Sequence, residues 1–113
     1  MGQERDERPA CVVLCAGSDC AKDERTAFRK LRDVVRDSEL EVVHSRCLGV
    51  CHGPVAVIDR AGEEPVVLRR IRRGAARRVV VELARTGRAQ GAGEISVAGK
   101  KARRAIRRAA KAS

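Results

Sequence analysis

Apolar residues change their spacing several times along the chain, and each change predicts an element. Residues 10 to 16, Ala-Cys-Val-Val-Leu-Cys-Ala, form a continuous apolar run stopped by Gly17-Ser18-Asp19, the pattern of a buried strand that ends in a loop. From Ala21 to about Asp37 the apolar positions Ala27, Phe28, Leu31, Val34 and Val35 recur at helical spacing, with Arg and Asp on the other side, so a helix is expected. Glu41 to Arg46, containing Val42 and Val43, predicts a second strand leading into Cys47. Gly53-Pro54 introduces a third at Val55-Ala56-Val57-Ile58, Ala61-Gly62-Glu63-Glu64 reads as a turn, and Pro65 to about Ile71 returns as an antiparallel fourth. A last helix is expected from about Gly74 to Thr86, with Ala76, Val79, Val80, Leu83 and Ala84 on one side and Gly87 as its terminator.

The expected order is therefore β-α-β-β-β-α, an α/β fold. Two strands joined through a helix pair in parallel, whereas a hairpin pairs antiparallel, so the sheet should be mixed, four-stranded and covered by two helices. Residues 1–9 read as an N-terminal extension, 10–87 as one domain, 88–99 as a linker containing Gly91, Gly93 and Gly99, and 100–113 as a basic tail. Within the linker, Glu94-Ile95-Ser96-Val97 has the composition of a short strand.

Composition changes this picture in two places. The chain of 113 residues contains one Phe and no Trp or Tyr, so its core must be aliphatic and it offers no stacking platform for bases. Its net charge of +10 is concentrated at one end, because Lys100, Lys101, Arg103, Arg104, Arg107, Arg108 and Lys111 supply seven positive charges with no acid among them, leaving +3 for residues 1 to 99. Ala102, Ala105, Ile106, Ala109 and Ala110 recur at roughly helical spacing in that tail. It reads either as a solvated, partly helical extension or as an electrostatic docking element for an acidic protein or for nucleic-acid phosphates. A membrane surface is disfavoured, since Ile106 alone could insert.

The chemistry lies in the cysteines. Four of the five stand in two clusters, Cys15-x4-Cys20 and Cys47-x3-Cys51, and two close thiolate pairs brought together by a fold bind zinc or iron-sulfur clusters. The spacing alone admits either metal. A disulfide framework is disfavoured because residues 1 to 10 contain no apolar signal-peptide core, and no stretch approaches the roughly 20 apolar residues that cross a bilayer. The expectation is a soluble, cytoplasmic protein. No Cys-x-x-Cys pair exists for a thioredoxin-type dithiol, and no catalytic triad is visible. Cys11, four residues before Cys15, reads as a core residue of the first strand. His44 is assigned to packing or surface hydrogen bonding, and His52, beside Cys51, to a supporting or exposed position rather than to iron ligation.

The segment from about Val12 to Gly87 resembles the thioredoxin-like 2Fe-2S ferredoxins, a module also found in a small subunit of respiratory complex I and of related hydrogenases and formate dehydrogenases. The matching pieces are Val13-Leu14-Cys15-Ala16-Gly17-Ser18-Asp19-Cys20 and Cys47-Leu48-Gly49-Val50-Cys51-His52-Gly53-Pro54, the second being the more specific. The resemblance implies a thioredoxin-like fold with a 2Fe-2S cluster held by Cys15, Cys20, Cys47 and Cys51, two on each iron. It also implies one-electron transfer at low potential, redox protein partners and a homodimer. Gly49 and Gly53 would let the second loop turn its amides toward the cluster. The chain lacks the helical region that precedes the module in complex I and carries a basic extension foreign to the family. The expectation is therefore a free-standing electron carrier without a catalytic site of its own. The alternatives are a zinc-stabilised binding module whose tail contacts nucleic acid, and an electron-transfer subunit of a larger redox enzyme.

Overall fold

The structure is a computed structural model and describes residues 10–15, 25–45, 48 and 54–112. In chain order the elements are β1 (Cys11–Cys15), α1 (Arg25–Asp37), β2 (Glu41–Ser45), β3 (Ala56–Asp59), β4 (Val66–Leu68), α2 (Gly74–Thr86), α3 (Ala92–Ile95), β5 (Ser96–Val97) and α4 (Gly99–Ala112). The strands form one sheet in the order β2-β1-β3-β4-β5. β1 and β2 are parallel, and the β1–β3, β3–β4 and β4–β5 pairs are antiparallel. The α/β class and the mixed sheet are as expected.

Strand alternation divides the core into two layers. Successive side chains of a strand point to opposite sides, so Val12, Leu14, Ala56, Ile58 and Leu68 face one way and Val13, Cys15, Val55, Val57 and Val67 the other. The first set packs with Leu31 and Val35 of α1 and with Val79, Val80, Leu83 and Ala84 of α2. The second packs with Ala102, Ala105 and Ala109 of α4. Each fully buried Val or Leu contributes roughly 1.5–3 kcal/mol relative to an exposed one, so both layers matter to stability.

The expectation of four strands and two helices is corrected here: the described residues contain five strands and four helices. Ser96 and Val97 pair with Leu68 and Val67 to add β5 at the edge. The segment read as a basic tail forms α4, because Val13, Val55, Val57 and Val67 would otherwise expose an apolar sheet face, and the alanine side of that helix covers it. Residues 1–9, read as an N-terminal extension, lie outside the described residues.

Local contacts fix the frame at both ends of the hairpin. Arg60, just after β3, bonds Glu63 at 3.0 Å and donates to the carbonyl of Ala84 at 2.9 Å, filling one of the acceptors that the end of α2 leaves open. Gly87 closes the same helix at φ 81°, its N–H on the Leu83 carbonyl, a left-handed position that favours glycine. At the other end Ile71 N–H bonds the Pro54 carbonyl and Arg69 N–H bonds that of Ile95.

Candidate metal centre

Cys15 is the last residue of β1 and is fully buried. Its partner in the parallel ladder is Ser45, the last residue of β2. Because the β1–β3 pair is antiparallel, with Leu14 opposite Ala56, β3 begins at the end of the sheet where β1 and β2 finish. The Cys15 N–H donates to the Val55 carbonyl at 3.0 Å, so that amide belongs to the sheet and does not serve a sulfur. Thus the chain leaves β1 after Cys15, leaves β2 after Ser45 and re-enters at Pro54-Val55, all at one end of the sheet.

Leu48 and Pro54 are both buried, and Leu48 belongs to the same apolar cluster as Cys15, Val13 and Val55. Leu48 directly follows Cys47 in the sequence. Of the four expected ligands, Cys15 alone lies among the described residues; Cys20, Cys47 and Cys51 lie outside them, as do His52, Gly49 and Gly53. Among the described residues no three Cys, His, Asp or Glu side chains come together as a metal-binding group.

Cys11 is placed away from this end. It pairs with Glu41 and Asp59 at the start of β1, four residues from Cys15 and therefore about 13 Å along the strand, too far to share one small metal site with it. Partial burial, reinforced by the charges of Glu41 and Asp59, pushes the Cys11 thiol above its ordinary range, which keeps it protonated and a poor nucleophile at neutral pH. Its half-buried side chain packs at the margin of the α4-covered core, close to the reading as a core residue.

His44 lies on β2 with its ring 5.8 Å from that of Phe28, tilted by 41°. The residue is exposed and this ring contact is its packing role, one of the two roles, packing or surface hydrogen bonding, expected for it. Its pKa is lowered, first by desolvation and then by Arg36 and Arg32, so it is neutral at pH 7.

One feature escaped the sequence reading. Around the start of α2 a groove of about 610 Å³ is lined by Arg70, Arg72, Arg73 and Arg78 together with Glu82 and Glu94. The run Arg69-Arg70-Ile71-Arg72-Arg73 was the available signal, since arginines that dense cannot all point into a core. The two carboxylates make the groove a mixed-charge surface.

Comparison with protein-family models, with curated proteins and with solved structures returns no match. Among the described residues no helix is long and apolar enough to cross a membrane.

Proposed function

We propose that the chain is a one-electron carrier that holds a 2Fe-2S cluster through Cys15, Cys20, Cys47 and Cys51, on a thioredoxin-like sheet enlarged by β5 and α4. The observation that supports this most is topological: β1 ends at Cys15 and β2 ends beside it at Ser45, while β3 starts at the same end. Both cysteine-bearing connections, residues 16–24 and 46–53, therefore leave from one end of the sheet. When bound, the cluster supplies a centre that takes up and returns one electron.

The chain's own part is ligation, shielding and docking. Cys15 brings a sulfur from the end of β1, and its burial keeps water from that side, a determinant of reduction potential. Leu48, anchored in the same apolar cluster, fastens the second cysteine segment to the core. Electron donor and acceptor would be redox proteins, and the carrier itself a homodimer.

Metal analysis and absorption of anaerobically purified protein test the reading. With a single Phe and no Trp or Tyr the polypeptide is nearly transparent in the near ultraviolet, so an iron-sulfur chromophore should dominate the spectrum. Two irons per chain and strong visible absorption are expected; a colourless protein with stoichiometric zinc would make it a zinc-stabilised module instead. Cys47→Ser should abolish or badly weaken the chromophore, whereas Cys11→Ser should leave it intact.

A further inference from the structure

We propose that the exposed face of α4 is a docking surface for the phosphate backbone of nucleic acid. The helix is divided lengthwise. Ala102, Ala105 and Ala109 are buried against the sheet and Ile106 is half-buried beside them, while all seven cations of residues 100–111 are exposed. At 3.6 residues per turn those cations occupy an arc of about 160° and extend over about 17 Å of helix axis. No acidic residue interrupts them. The groove at the start of α2 differs in this respect, since Glu82 and Glu94 stand among its arginines.

Three properties of the surface select its partner. An amphipathic helix enters a bilayer with its apolar side, but that side of α4 is already committed to Val13, Val55, Val57 and Val67. Stable protein interfaces set their Arg anchors among aromatic and large apolar groups and are poor in Lys; α4 has Arg, but apart from the cations its exposed residues among those described are Gly99 and Ala110. Duplex nucleic acid asks for neither, because it presents a negative charge about every 1.7 Å along its axis and is held by Lys and Arg alone. Arg forks suit phosphate oxygens in particular. With Phe28, the chain's single Phe, Trp or Tyr, on the other side of the sheet, no ring is at hand to stack an unpaired base, and the phosphate contacts themselves are independent of sequence.

Packing α4 onto a sheet fixes the array before the partner arrives, so less side-chain and backbone freedom is lost on docking. This surface does not depend on which metal the cysteines hold.

The test is a titration of the full chain against a short mixed-sequence DNA duplex between about 50 and 200 mM salt, where each phosphate contact adds about 0.9 to the logarithmic salt slope. Binding should be steeply salt-dependent. Replacing Lys100, Arg103, Arg104 and Arg107 by Gln, which leaves the buried alanines untouched, should lower the slope by about 3 to 4. A charge-matched control, Gln at Arg69, Arg70, Arg73 and Arg78, should keep most of it, and Lys at Arg103, Arg104 and Arg107 should keep the slope even if the Gln variant loses helix content. The proposal is overturned by absence of duplex binding at the lowest salt, by equal losses in the two Gln variants, or by loss of slope in the Lys variant. Tighter binding to polyglutamate or to phosphatidylserine vesicles than to the duplex would overturn it too, assigning the surface to an acidic protein or a lipid headgroup.

Discussion

The two faces of the sheet are covered by different chemistry. On one, α1 and α2 bring Leu31, Val35, Val79, Val80 and Leu83 onto Leu14, Ile58 and Leu68. On the other, α4 brings alanines onto a row of valines, and Cys15 lies in that second layer. Large aliphatic residues interdigitate across a wide gap, whereas alanines let a helix approach closely while its cations remain in water. The difference teaches that the face bearing the candidate ligand is covered by the most highly charged element of the molecule. Burial and charge, two determinants of a cluster's potential, meet there.

Breaking the aliphatic face should cost most. Leu14→Ala removes a fully buried side chain and should destabilise the fold by about 2–5 kcal/mol in urea denaturation. The alanine face is expected to fail in the opposite direction: Ala105, also fully buried, leaves no room for a larger group. Ala105→Leu should cost about 1–3 kcal/mol by overpacking; a stabilised protein would mean that α4 is loosely seated and that the two faces are not comparable. A smaller effect belongs to the end of α2, where Gly87→Ala imposes a side chain at φ 81° and brings its Cβ within 2.8 Å of the movable Glu63 carboxylate, and should cost roughly 1–2 kcal/mol.

The smallest expected effect concerns protonation near α1. His44 binds its proton less readily folded than unfolded, through partial burial and then Arg36 and Arg32. The unfolded chain therefore protonates first as pH falls below about 6.5, and stability declines from there until the folded histidine is also charged. His44→Gln should flatten that part of the pH profile of Tm in the metal-free protein. An unchanged slope would remove His44 from the account.

Much of the first face could be read directly from the chain. Leu31 and Val35 recur at helical spacing, Val79, Val80 and Leu83 do so again, and Gly87 marks the stop. The second face was harder because Ala102, Ala105 and Ala109 carry little apolar surface among seven cations, and a helix so marked reads equally as a solvated extension. A signal was nevertheless present. Val12-Val13-Leu14-Cys15 and Val55-Ala56-Val57-Ile58 are apolar without alternation, and strands of that kind are buried on both faces, which requires a cover that the helices of one face cannot supply. β5 falls inside Glu94-Ile95-Ser96-Val97, whose composition suggested a short strand, although its two residues are too few for a period to register. At the candidate site, Cys15 sits at the end of β1, as its place near the end of the apolar run 10 to 16 indicated, and Cys11 lies at the far end of β1 because four residues of extended chain separate them.

The central claim is that the cysteine end of the sheet carries a one-electron centre. Electron paramagnetic resonance of the intact protein after titration with one electron per chain tests it most directly. The account predicts a rhombic signal integrating to one spin per chain, retained in Cys11→Ser and lost in Cys15→Ser. A protein that stays silent on reduction while holding stoichiometric zinc, or one whose signal survives Cys15→Ser, would contradict it.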